Sequence, residues 1–248
     1  MSPSRTPRPR IGPEELTGRS RAHVVEAEGA VLQPAAATAF RRMRAAAARE
    51  GIELCAASSF RDFNTQARIW NQKWRGERPL LDRRGQPLVA ASLAPRARLR
   101  ALLIWSAPPG ASRHHWGSDL DVYDRAALAD GQRPQLVPEE YAPGGPFAAL
   151  TAWLDRHMAR FGFYRPYVTD RGGVQPEPWH LSHAPTAREM SRRFRPRTWA
   201  RALETCEVDG KEALLAALDE VYGRYVRAVD PPPLATPPTR ARSVRTKR

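Results

Sequence analysis

Ser112-Arg113-His114-His115-Trp116-Gly117-Ser118-Asp119-Leu120-Asp121, met later by Glu177-Pro178-Trp179-His180, decides how the rest of the chain is read. The two stretches supply His114, Asp121 and His180 as nitrogen and oxygen donors, with Glu177 as a spare carboxylate. Two imidazoles and a carboxylate suit a zinc ion that keeps a fourth position open for water. A further carboxylate beside such a site suits proton transfer to and from that water. Gly117 lets the backbone turn sharply between His114 and Asp121. Beyond it, Asp119 to Tyr123 predicts a strand on which residues 119, 121 and 123 share one face. Glu177 to Ser182 predicts the strand that delivers His180.

Outward from this centre, helices alternate with short extended segments. Ala35 to Glu50 predicts a helix whose Ala36, Phe40, Met43 and Ala47 form one apolar stripe, and Gly51 ends it. Ile52 to Ser58 predicts a short buried strand, with Cys55 a small apolar residue in it. Arg61 to Trp74 and Pro95 to Trp105 predict two further helices. Residues 126–145, rich in Pro and Gly, read as an insertion over one face. Phe147 to Phe161 predicts an amphipathic helix stopped by Gly162, and Phe163 to Tyr167 returns to extended form. Lys211 to Val226 predicts the last helix. Helices mixed with a few separated strands point to an α+β domain. Its expected span is residues 25–228, preceded by a loose basic arm over 1–24 and followed by a Pro-rich basic tail over 229–248.

The chain of 248 residues is long enough for one full-sized core, and its formal net charge is +14. Much of that excess lies at the ends, in Arg5, Arg8, Arg10, Arg19 and Arg21 and in Arg240, Arg242, Arg245, Lys247 and Arg248. No nucleic-acid-binding motif accompanies these cations, so no specific nucleic-acid partner is expected. No apolar run approaches the roughly 18 residues a membrane span needs. The first residues lack the apolar stretch of a secretory signal, which predicts a cytoplasmic location. Cys55 and Cys206 stand in no metal-binding spacing.

The pattern Ser112-x-His114-x-x-Gly117-x-x-x-Asp121 with Glu177-x-Trp179-His180 resembles the signature of VanY-type zinc D-alanyl-D-alanine carboxypeptidases. These belong to the wider LAS group of M15-like metallopeptidases, which includes dipeptidases and endolysins. Ser58-Ser59-Phe60-Arg61-Asp62, followed by Gln66, is similar to the family's Ser-Gly-Tyr-Arg-Ser…Gln segment. The resemblance spans about residues 35–185. It implies a small antiparallel sheet carrying the zinc site, flanked by helices in the hedgehog-like manner. It also implies one zinc ion per chain on His114, Asp121 and His180, with Glu177 as general base and acid. Arg61 would bind the substrate's terminal carboxylate or the oxyanion formed at the scissile carbonyl. Gln66 and Ser112 would line the same pocket, and Trp179 would be its wall or a packing residue. The implied partner is a peptidoglycan stem peptide or its precursor, which points to the cell envelope, against the cytoplasmic expectation from the N-terminus.

Two positions depart from the family pattern. Phe60 stands for the usual Tyr, and Asp119 for a small residue such as Ala, adding negative charge near the metal if it points inward. Two rivals to a carboxypeptidase follow from the same residues, an endopeptidase of the same group and a non-catalytic zinc-binding module; a third, a basic nucleic-acid-binding protein with the core as scaffold, follows from the net charge alone. Glu177 and Arg61 speak against the module, because binding alone needs no base. His115 is expected to point away from the site, and the sequence gives no oligomeric state.

Overall fold

The computed structural model describes residues 11–232, and at their centre lies a four-stranded antiparallel sheet. Its strands run, in spatial order, Leu54–Ser58, Asp119–Asp124, His180–His183 and Phe163–Tyr164. Alternation along the two middle strands sorts their side chains onto opposite faces. Leu120 stands opposite Leu181 on one face, while Asp121 stands opposite His180 and Asp119 opposite Ser182 on the other.

The apolar face is covered by the helices Pro34–Ala48 and Ala148–His157. Leu120, Val122 and Leu181 meet Phe40, Met43, Leu150, Trp153 and Leu154 in one core. Burying each such side chain contributes about 1.5–3 kcal/mol. A one-residue slip would therefore expose that set and bury the carboxylates in its place, which fixes the register that faces Asp121 to His180.

A second core forms from the helices Phe63–Arg75, Pro95–Leu103, Ala184–Arg193 and Pro196–Glu204. Trp70, Leu99, Leu102, Trp116, Phe194 and Trp199 are among its members. The polar face of the sheet looks toward this helical half, and the site lies between the two.

Several expectations are corrected. The strand delivering His180 begins at His180 itself, and Glu177 to Trp179 form a turn closed by His180 N–H donating to the Glu177 carbonyl at 3.1 Å. Pro178 has no N–H for a strand ladder, which keeps this stretch out of the sheet. The N-terminal arm is shorter than expected: Pro13–Leu16 is a helical turn, and Leu16, Thr17 and His23 are buried. Residues 1–10 of that arm and 233–248 of the tail lie outside the described residues. The last helix is broken into Lys211–Ala216, Leu218–Val221 and a wide turn over Tyr222–Arg227. Ala217 leaves helical geometry between the first two. The segment 126–145 does cover one face, holding a helical turn at Pro138–Tyr141 whose Tyr141 hydroxyl donates to the Val122 carbonyl at 2.7 Å. No helix among the described residues is long and apolar enough to cross a membrane. Cys55 and Cys206 are free thiols.

Candidate metal centre

His114 sits on a tight turn, Arg113–Trp116, that starts at Ser112 and ends at Gly117. The Ser112 hydroxyl accepts from His114 N–H at 3.3 Å. Gly117 adopts φ +64°, and a Cβ there would stand 2.4 Å from Val24 Cγ1. Only glycine fits this position without strain. The turn is further tied down by Gln33, whose backbone N–H donates to the Gly117 carbonyl and whose side chain donates to the Trp116 carbonyl.

The turn and the two strands bring His114, Asp121 and His180 together, with one donor atom of each lying within 4.8 Å of the others. All three are buried. Neighbours fix which nitrogen of each imidazole is free. His114 Nδ1 lies 2.8 Å from the Ser59 carbonyl, so it carries the proton and leaves Nε2, 3.4 Å from Asp121 Oδ2, as the donor. His180 is turned the other way. Its Nε2 bonds Asp119 at 3.1 Å, and its Nδ1 faces Asp121 Oδ1 at 3.3 Å and Glu177 Oε2 at 3.2 Å.

Whether this set fits a metal is tested by what it leaves unsatisfied. Asp121 Oδ1 is buried without a hydrogen-bond partner, although His180 Nδ1 is close. The two atoms converge on a common point instead of aligning along a bond. Charge tells the same way. Burial alone would raise the Asp121 carboxyl, yet the His114 and His180 imidazoles hold it well below the usual carboxylate range. Burial would likewise lower His180, but its hydrogen bond to Asp119 and the adjacent Asp121 and Glu177 carboxylates raise it well above an ordinary histidine. Asp121 and Glu177 thus set two carboxylates against His180 Nδ1, the field a divalent cation needs, and the donor set fits zinc.

Asp119 shares the strand face of Asp121, but its charge is spent elsewhere. It is fully buried and accepts from Arg113 Nε at 2.8 Å, from His180 Nε2 and from the Ser118 hydroxyl. Arg113 also donates to Ser182 Oγ at 2.6 Å and to Tyr164, and lies over the Trp116 ring. Burial would raise the Asp119 carboxyl, and the Arg113 guanidinium reverses that and holds it below its usual range. The departure from the family pattern therefore comes with its own counter-charge and supplies a carboxylate behind a candidate ligand histidine, an arrangement that fixes ring orientation at metal sites.

Arg61 precedes the helix Phe63–Arg75, which Asp62 caps by accepting from Thr65 N–H at 2.7 Å. Its guanidinium donates to Gln66 Oε1 at 2.7 Å and Ser58 Oγ at 2.9 Å, and stands 3.9 Å from Asp121 Oδ2. Gln66 is buried, and its amide nitrogen donates to the Ala107 carbonyl at 2.7 Å. Both ends of Gln66 are committed, so it aims Arg61. His115 points away from the candidate ligands, as expected. Its Nδ1 meets the Arg61 carbonyl at 2.6 Å, and its Nε2 accepts from Gly110 N–H. Burial pushes it down to about 3, so it stays neutral and serves as a strut for Arg61.

These side chains open on a cavity of about 370 Å³. All eight residues singled out in the sequence line it: His114, Asp121, His180, Glu177, Arg61, Gln66, Ser112 and Trp179. Trp179 both lines the cavity and packs on Tyr141 in the core.

The pattern of the family described as VanY: D-alanyl-D-alanine carboxypeptidase matches residues 29–186. The chain belongs to this family. An uncharacterized protein of Haemophilus influenzae is 35% identical over 118 residues, covering 47% of this chain and 90% of the relative. A D-alanyl-D-alanine carboxypeptidase of Enterococcus faecalis is 28% identical over 141 residues, covering 56% of this chain and 42% of that protein. Among solved structures, VanYB in complex with D-alanine-D-alanine gives a TM-score of 0.47 at 21% identity, covering 74% of this chain and 89% of that one.

The VanY match includes every ligand candidate, while most of the helical half after residue 186 lies outside it. Among the cavity residues that reading the sequence as a VanY relative missed are Lys73 and Arg78. Lys73 had one available signal, since it follows Gln66 by two helical turns on the same stripe. The carboxylate partnership of Asp119 with His180 had a signal too, in the strand alternation that puts residue 119 on the face of residue 121.

Proposed function

We propose that this member of the VanY family is a zinc-dependent carboxypeptidase that releases the terminal D-alanine of peptidoglycan stem peptides. The observation that carries the reading is the convergence of His114 Nε2, Asp121 and His180 Nδ1 on one point, with Glu177 and Arg61 at its edge. The name of the Enterococcus faecalis relative supports the substrate class. The enzyme would act wherever stem peptides or their precursors occur.

His114, Asp121 and His180 would hold the ion. Zinc bound there supplies a Lewis acid for the scissile carbonyl and makes water a nucleophile near neutral pH. Glu177 then acts as the base: its carboxylate accepts the proton of the attacking water and hands it to the leaving amine. Its position on a turn ahead of the strand puts the carboxylate beside the ligands without making it one. Arg61 donates to the oxyanion that develops at the carbonyl, held in place by Gln66, Ser58 and His115. Trp179 and Tyr167 wall the cavity.

The test is the identity of the products from a stem pentapeptide ending in D-Ala-D-Ala, read by mass spectrometry. Free D-alanine with the tetrapeptide supports the carboxypeptidase. Internal fragments would transfer the reading to an endopeptidase, and intact peptide with bound zinc to a binding module.

A further inference from the structure

The helix Phe63–Arg75 lays another charge along the cavity. Gln66, Ile69 and Lys73 fall at i, i+3 and i+7, one stripe facing inward. At 1.5 Å per residue, the Lys73 backbone stands about 10 Å further along than that of Gln66. Helical side chains lean toward the N-terminus, which brings the ammonium within electrostatic reach of Arg61 and Glu177. Its Nζ donates to Ser106 Oγ at 2.7 Å. Among the described residues it has no carboxylate within ion-pair distance, although Glu177 is near enough to be felt through space. Arg78 lines the same cavity.

A cation lowered into a cavity without an anion is destabilised. Burial brings the Lys73 ammonium down to about 8. An incoming anion relieves that cost. The chemistry of the cleaved bond says which anion comes within reach. With the scissile carbonyl at the candidate ligands and its oxygen toward Arg61, the Cα of the released residue lies about 3.8 Å from the Cα before the scissile bond. The carboxylate that follows lies within the same cavity, which Arg61, Lys73 and Arg78 line. An amide end or a continuing chain carries no charge there.

We propose that Lys73, with Arg78 beside it, forms a carboxylate-binding subsite whose ligand is the terminal carboxylate of the residue released. The identity of the ligand rests on the carboxypeptidase reading, whereas the anion site rests on the cavity alone. An acidic side chain on the last residue offers the same chemistry, so the test separates the two sources.

The experiment measures calorimetric binding to the zinc-loaded full chain carrying Glu177→Ala, so that no ligand is consumed. Three probes are compared: an N-acetylated peptide ending in D-Ala-D-Ala, its C-terminal amide, and an amide ending in D-Glu. A charged hydrogen bond of this kind predicts that the free acid binds roughly 10- to 100-fold tighter than its amide. Adding Lys73→Gln should erase that difference and Lys73→Arg should keep most of it, with zinc content unchanged in both. Equal binding of acid and amide, or a Lys73→Gln loss shared by both, would overturn the subsite. A D-Glu amide that binds as tightly as the free acid would overturn the terminal assignment. Carboxylate-selective binding in a protein that, with Glu177 intact, releases no D-alanine would keep the subsite and sink the carboxypeptidase. D-alanine release without carboxylate preference would do the reverse.

Discussion

Replacing Asp119 with alanine removes the carboxylate that neutralises a buried guanidinium. Arg113 is only 4% exposed, and without Asp119 it keeps the Tyr164 and Ser182 hydroxyls and the Trp116 ring. None of these carries charge. Breaking a buried ion pair from one side costs about 3–5 kcal/mol, because the remaining charge stays desolvated. His180 Nε2 loses its acceptor as well, but that loss is shared with the same network and does not simply add. Asp119→Ala should therefore lower unfolding stability by about 3–5 kcal/mol, measured by urea denaturation of the metal-free full chain and linear extrapolation. Arg113→Met in the same protein removes the stranded charge, so the double variant should be more stable than Asp119→Ala alone. Acidity gives a further check with a definite sign. The Asp119 carboxyl is held below its ordinary range, so its contribution is complete above the unfolded value of about 3.9 and fades as pH falls below it. The curves of native and Asp119→Ala protein should converge on acidification. Zinc affinity, read by chelator competition, should fall roughly 10- to 100-fold. A stability loss under about 1 kcal/mol, or a double variant weaker than the single one, would refute the reasoning.

Gly117→Ala forces a left-handed backbone on a residue with a Cβ, at about 1–2 kcal/mol, and drives that Cβ into Val24. A lowered urea midpoint together with weaker zinc binding checks it, since His114 lies on the same turn. Gln66→Ala frees the Arg61 guanidinium and leaves the Ala107 carbonyl unpaired. It should lower kcat/KM for D-alanine release roughly 10- to 100-fold while zinc content stays the same. Lys73 loses its proton as pH rises through about 8, among Glu177, Arg61, Arg78 and Ser106. The KM for a free-acid peptide should therefore climb above that pH, and the KM for any amide that is cleaved should not.

The cluster of candidate ligands was legible because its signal is local. Gly117 between His114 and Asp121 encodes a turn and a strand, and alternation does the rest. The register that sets Asp121 opposite His180 was not written in either stretch, since it depends on Leu120 and Leu181 sharing an apolar face. Glu177 was found by type and spacing, but its placement on a strand was wrong because Pro178 breaks the ladder. Lys73 stayed hidden because its meaning comes from Ser106, on a segment far along the chain. The helices Ala184–Arg193 and Pro196–Glu204 went unseen for a different reason. Their arginines dilute the apolar stripe to Ala187 and Met190 in one and Trp199, Ala202 and Leu203 in the other. The same dilution made residues 11–24 read as a loose arm, although Leu16 and His23 are buried there.

Zinc stoichiometry and D-alanine release, measured side by side on the native protein and Glu177→Ala, test the central claim most directly. About one zinc per chain is predicted in both, with release from a D-Ala-D-Ala peptide falling by roughly 10²- to 10⁴-fold in the variant. Native protein that takes up no zinc, or a Glu177→Ala protein that releases D-alanine at the native rate, would contradict it.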